Sequence, residues 1–207
     1  MDSTNDYAKQ NNLPDGILVL TNYQVMGRGR FQRKWESIPG KNLTFTFTKK
    51  INIEPDNQFS INCCVGFSVF NVLRNEFNNH KKNEYGQFIS IKWPNDIVLN
   101  NKKIAGVLIE KRSSKDEYII GIGININQEN FSNELALDAT SLYLETSVIF
   151  DLNNMLTKII YELDQNLKSL HNHKYMYIFN LWKENNIFIG KAVLFTDESG
   201  RIKHGKL

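Results

Sequence analysis

The residues best suited to chemistry sit at the ends of apolar segments. Gly27-Arg28-Gly29-Arg30-Phe31-Gln32-Arg33-Lys34-Trp35 carries four cations, two glycines and a tryptophan, with no acid before Glu36. Arginine forks and free backbone N–H groups suit phosphate or carboxylate oxygens. Glycine lets a backbone approach such a ligand and keeps a loop mobile. The stretch reads as a clamp for an anionic ligand, with a flat apolar part for Trp35; a solvated basic loop that touches nucleic acid is the competing reading. A further cation, Lys92, follows the β-type run Phe88-Ile89-Ser90-Ile91 and precedes Trp93-Pro94-Asn95-Asp96. Arg28, Arg30, Arg33 and Lys92, with Ser3, Thr4, Gln24 and Asn125, form a set that holds negative charge rather than moves protons. Phosphoryl or nucleotidyl transfer fits, because positioning and electrostatic stabilisation do most of the catalysis there.

Other chemistries lack their residues. His80, His171, His173 and His204 lie in polar segments, and none pairs with cysteine at ligand spacing. The chain has no Gly-x-Ser-x-Gly elbow, no P-loop and no glycine fingerprint opening a helix after a strand. A net charge of +3 is small for a dedicated nucleic-acid binder, which makes the basic loop a local feature. The two cysteines, Cys63 and Cys64, are neighbours that cannot easily bridge each other, as expected of buried thiols in a reducing compartment. No apolar run approaches the roughly 20 residues that span a bilayer, and the polar start is no signal peptide. A cytoplasmic location is expected.

The elements that must position these groups follow from periodicity. Ser3-Thr4-Asn5 opens a short helix that stops at Asn11-Asn12; the three side chains either cap it or face a ligand. Residues 17–20 read as a buried strand, and 42–48 as a strand with one buried face. Helices are expected over 57–77, 152–170 and roughly 175–183, the first with a Phe59, Cys63, Phe67, Phe70, Phe77 stripe. Residues 78–86 read as a polar connection. After Lys92 the chain resumes as a strand over 97–99, turns at Asn100-Asn101, and returns over 103–110 and 117–127. In the last run Gly121, Gly123, Asn125 and Asn127 share one face, and the isoleucines share the other. That bare face is a ligand floor or a site of close packing. The end turns β-like over 192–195, with a turn at 197–200. The 207 residues allow one sizeable domain, with or without a small appendage.

Several motifs carry a family resemblance. Gly27-Arg28-Gly29-Arg30 with Arg33-Lys34-Trp35, Gly40 and Asn42-Leu43 comes first. Lys92-Trp93-Pro94-Asn95-Asp96, then Lys103-Ile104-Ala105-Gly106-Val107-Leu108-Ile109-Glu110, then Gly121-Ile122-Gly123-Ile124-Asn125-Ile126-Asn127 follow it. With Ser3-Thr4-Asn5 these resemble biotin protein ligase in order and spacing. The resemblance implies an α/β (α+β) fold. A central mixed sheet would be flanked by helices, as in the class II synthetase-like biotin/lipoate ligase catalytic domain. It would extend over 1–184, and 185–207 would begin a small SH3-like C-terminal β-barrel that the chain ends inside. The implied enzyme is a carbon–nitrogen ligase, biotin–[acetyl-CoA-carboxylase] ligase. It would form biotinyl-5′-AMP from biotin and ATP with Mg²⁺, then pass biotin to a lysine of a biotin carboxyl carrier protein or domain.

By that resemblance, Ser3, Thr4, Asn5 and Gln24 would line the ureido end of biotin, with Arg28, Gly29 and Arg30 closing over it and Gly106 and Gly121 keeping the floor low. Arg30 and Arg33 would meet phosphate. Lys92 would bridge the biotin carboxylate and the α-phosphate, making Lys92 and Arg30 the catalytic pair. Trp35, Gly123 and Asn125 would seat the adenylate, and Asp96 would hold the turn after Pro94. The loop would close over the intermediate and exclude water. The family loop often carries glycine where this chain has Gln32. Neither DNA nor a membrane is an expected partner, and the chain would act as a monomer or homodimer. The alternatives are a lipoate–protein ligase-like enzyme and a non-catalytic binding module that uses the basic loop.

Overall fold

A computed structural model describes residues 1–80, 88–112, 116–196 and 201–206. Its centre is a six-stranded sheet in the order β1-β2-β6-β5-β4-β3. The strands are β1 (Leu18–Thr21), β2 (Leu43–Lys50), β3 (Ile89–Lys92), β4 (Asp96–Leu99), β5 (Lys102–Lys111) and β6 (Glu117–Ile124). All five pairings are antiparallel, and parallel character is confined to the single bridges Ile91–Asn186 and Lys103–Ala139. Asn100 and Asn101, at φ +51° and +66°, make the two-residue β4–β5 turn. Asparagine tolerates this left-handed backbone, which matches the twist of a hairpin.

The helix α1 (Thr4–Gln10) covers one face of the sheet, and α2 (Phe59–His80) covers the other. Outside α2 lie α4 (Leu152–His171) and α5 (Tyr175–Glu184), while the short α3 (Leu142–Thr146) follows β6. Sandwiched between sheet and helices, α2 buries 14 of its 22 residues, which is why its apolar stripe is so broad. Leu43, Phe45 and Phe47 of β2 pair with Ile124, Ile122 and Ile120 of β6 and belong to this core. Burying each such side chain contributes about 1.5–3 kcal/mol.

Two strand expectations change. The strand expected over 17–20 is the edge strand β1, Leu18–Thr21, and Ile17, Leu18 and Leu20 are all exposed rather than buried. β2 buries both faces through Thr48, because α1 packs over the threonines that alternation assigns to solvent. After α5 the chain bonds to the β3 edge, Ile91 N donating to Asn185 O and Ile187 N to Ile91 O. It then forms a separate two-stranded sheet, β7 (Ala192–Thr196) with β8 (Ile202–Lys206). The 197–200 turn and most of the 78–86 connection lie outside the described residues, although α2 itself runs on to His80. Among the described residues no helix is long and apolar enough to cross a membrane. Cys63 and Cys64 are buried free thiols, and burial pushes the Cys63 thiol up to about 12.

Candidate active site

Where α1, the 27–35 loop and the β3–β4 turn meet β5 and β6, a cleft of about 570 Å³ opens. It brings together Ser3, Thr4, Asn5, Gln24, Arg28, Gly29, Arg30, Arg33, Trp35, Lys92, Gly106, Gly121 and Gly123. A larger depression beside α1, lined by Tyr7, Gln10, Val25 and Met26, shares Ser3, Arg28 and Lys34 with this cleft.

One end of the cleft is a net of neutral polar groups. Ser3 caps α1, its Oγ accepting from Asp6 N at 3.3 Å, so this hydroxyl does serve the helix. Gln24 Oε1 accepts from Thr4 N at 2.7 Å and from Thr4 Oγ1 at 3.0 Å. Thr46 Oγ1 reaches Thr4 Oγ1 at 2.8 Å and Asn5 Oδ1 at 2.5 Å, and its single proton serves one of them at a time. The bare face of β6 is filled at this end, since a Cβ on Gly121 would lie 2.1 Å from Asn5 Oδ1.

The other end is aromatic and cationic. Trp35 lies over Gly123, where a Cβ would come within 2.4 Å of its ring. The glycines therefore make room for Asn5 and Trp35, which themselves form the floor expected beneath a ligand. The Trp35 Nε1 is buried and has no protein partner among the described residues. Lys103 Nζ sits 5.5 Å from the centre of the Trp35 ring and 2.7 Å from Asp96 Oδ1. Lys92 ends β3 directly across from Asp96. Lys103 takes that carboxylate, and Lys92 has no ion pair among the described residues.

The basic loop is itself folded. Trp35 N donates to Gly27 O at 2.8 Å and Gly29 N to Arg33 O at 2.7 Å, with a bridge between Arg28 and Lys34. At its tip Phe31 and Gln32 have φ of +55° and +58°. Gln32 thus holds the backbone that glycine adopts without strain.

Arg30 and Arg33 are exposed at the cleft, with Arg30 Nη1 3.4 Å from Asn95 Oδ1. Arg28 differs: it is half-buried and fixed by two carboxylates, at 2.6 Å to Asp6 and 2.9 Å to Glu110. These partners raise its pKa further above the usual guanidinium value, and the Arg28 hydrogen bond holds Asp6 below the usual carboxylate range. The Asp6 contribution is therefore present above the ordinary carboxylate pKa and is lost only as pH falls through the lowered one.

Asn125 stands apart. It is buried, outside the cleft lining, and its Nδ2 donates to Thr140 O at 3.1 Å. Thr46, Asn95, Lys103, Asp6 and Glu110 also belong to the site or its support; Asn95, Lys103 and Glu110 stand in the motifs above without a role of their own, and Asp6 and Thr46 carry no sequence signal. Lys103 is concealed by a bulge: Ala105 pairs with Ile97 but Lys103 with Val98, so one extra β5 residue breaks the alternation.

The fold and cleft define a class of protein, an α/β domain whose cleft is neutral and polar at one end and cationic at the other. Residues 1–127 match the model of the biotin/lipoate A/B protein ligase family, and the chain belongs to that family. The bifunctional ligase/repressor BirA of Bacillus subtilis (strain 168) is 30% identical, over 91% of this chain and 61% of that protein. The BirA of Escherichia coli (strain K12) is 27% identical over 93% and 59%. This chain thus spans about three fifths of the length of these relatives. The structure of biotin protein ligase from Aquifex aeolicus in complex with biotin and ATP matches with a TM-score of 0.83. Its identity is 31%, with 100% of this chain and 83% of that one covered.

Proposed function

We propose that the chain is a biotin protein ligase. It condenses biotin with ATP to biotinyl-5′-AMP and pyrophosphate, then transfers the biotinyl group to a lysine amine of a biotin carboxyl carrier protein or domain, releasing AMP. The observation that carries this reading is the pairing in one cleft of a neutral hydrogen-bonding end with a cationic one. Asn5 Oδ1 and the Gln24 amide nitrogen offer an acceptor and a donor, the complement of a ureido ring. Arg30, Arg33, Lys34 and Lys92 offer positive charge, whereas Asp96 is the only carboxylate among the described residues of the lining and is paired with Lys103.

Biotin carboxylate and ATP α-phosphate are both anions, and their approach needs a cation between them. Lys92, carried on a rigid strand end, supplies it, and Arg30 adds charge from the loop. Trp35 offers an aromatic face to the nucleotide. Among the described residues no three His, Cys, Asp or Glu gather to hold a metal; Mg²⁺ would arrive on the ATP phosphates, with Asp96 the cleft's one anionic oxygen donor. The domain division is part of the proposal: residues 1–184 carry the catalytic unit, and 185–207 begin a small β unit. Asn125 acts on the adenylate indirectly, by fixing the segment at Thr140. The protein works in the cytoplasm, as a monomer or homodimer.

Pyrophosphate exchange into ATP tests the reading. Exchange is expected with biotin and not with lipoate. Exchange with lipoate alone would move the assignment to a lipoate ligase, and exchange with neither would leave a binding module.

A further inference from the structure

Glu110 lies at the back of the cleft, near the far end of β5, and is absent from the lining. Its carboxylate nevertheless touches two residues that do line the cleft. Asn5 Nδ2 donates to Oε2 at 2.9 Å, while Arg28 Nη2 donates to Oε2 at 2.9 Å and to Oε1 at 3.1 Å. The side chain is about one quarter exposed, so these bonds are partly shielded from water.

We propose that Glu110 is a positioning residue that sets the polarity of the cleft's neutral end and anchors the base of the 27–35 loop. An ionised carboxylate only accepts hydrogen bonds, so the Asn5 amide turns its nitrogen to Glu110, with Leu108 O a longer second acceptor at 3.5 Å. Its oxygen then points to Thr46 and Gly121. With Thr46 supplying at most one proton, Oδ1 keeps a lone pair for a ligand donor. The end of the cleft therefore selects a ligand edge bearing N–H there, and a flipped amide would repel it. The same carboxylate, with Asp6, holds Arg28, the second residue of the loop, and so fixes the loop's base, while Arg30 and Arg33 stay exposed.

The inference rests on the reading of the cleft as a biotin site. A simple structural strut at Glu110 would weaken both substrates alike. A positioning role weakens biotin more than ATP, because among the described residues Glu110 bonds Asn5 directly, whereas Arg30, Arg33 and Trp35 depend on it only through Arg28 and the loop. A lost hydrogen bond to a charged group corresponds to about a tenfold change or more.

The test is calorimetric biotin binding and the KM for ATP in pyrophosphate exchange, on the full chain, for wild type, Glu110→Ala, Glu110→Gln and Glu110→Asp. Glu110→Ala is expected to weaken biotin at least about tenfold, with the KM for ATP within about threefold, and Glu110→Asp to recover part of the loss. Glu110→Gln, which keeps the shape and loses the enforced polarity, is expected to fall between wild type and alanine; it supplies the comparison if the alanine variant does not fold. Biotin binding unchanged in both neutral variants, or equal losses for biotin and ATP, overturns the inference alone. A wild type that binds no biotin overturns the ligase reading with it, and shows before any substitution is made.

Discussion

Lys92→Ala is expected to lower adenylate formation by about 10²–10³-fold, while biotin binding changes only a few-fold. The size follows from where the charge sits. Lys92 ends a strand whose neighbour contributes Asp96 directly opposite, an arrangement that would normally form a cross-strand ion pair. Lys103 instead holds Asp96 at 2.7 Å, and the Lys92 ammonium stays available. Two anions approach each other in the transition state, and removing the fixed cation between them forfeits stabilisation that is small in the ground state. Such a loss falls on the rate of the chemical step rather than on substrate affinity. Single-turnover formation of biotinyl-5′-AMP measures it. Lys92 is exposed, so the denaturant midpoint is expected to match wild type; a variant that keeps the wild-type rate removes Lys92 from catalysis.

The second large effect concerns two glycines one strand repeat apart. Gly121→Ala would place a methyl 2.1 Å from Asn5 Oδ1, and Gly123→Ala would place one 2.4 Å from the Trp35 ring. Neither neighbour can give cheaply. Asn5 is tied to Thr46 and Glu110, and Trp35 is tied through its backbone to Gly27. Overpacking of this kind costs about 1–3 kcal/mol in stability. Its functional cost is expected to divide: Gly121→Ala raises the KM for biotin at least about tenfold and Gly123→Ala that for ATP, each with the smaller change on the other substrate. Steady-state exchange kinetics on both variants check this. The reverse pattern would exchange the two ends of the cleft.

Much of this arrangement is legible in the sequence because its signals are local. The helix periodicity of 57–77, the Asn100-Asn101 turn and the glycine–isoleucine alternation of β6 depend on a residue's own neighbours. The loop and Lys92 stand out as cations at strand ends. What the sequence does not reveal depends on contacts between distant segments. Arg28 reads like its neighbours Arg30 and Arg33, yet Asp6 and Glu110 neutralise it across 22 and 82 residues of chain. The threonines of β2 look like a solvent face until α1 covers them. Lys103 falls out of alternation through a bulge. Asn125 shares its parity with the floor glycines, but the strand ends at Ile124 and its amide turns to Thr140.

As a biotin protein ligase, the chain is proposed to make biotinyl-5′-AMP in the cleft and shelter it there. This is tested by incubating the protein with biotin and ATP, adding pyrophosphatase, and identifying the protein-bound small molecule by mass spectrometry. Up to one biotinyl-5′-AMP per chain is expected, none without biotin, and little with Lys92→Ala over the same interval. ATP consumed with no adenylate formed, or biotin bound but never activated, would contradict the proposal.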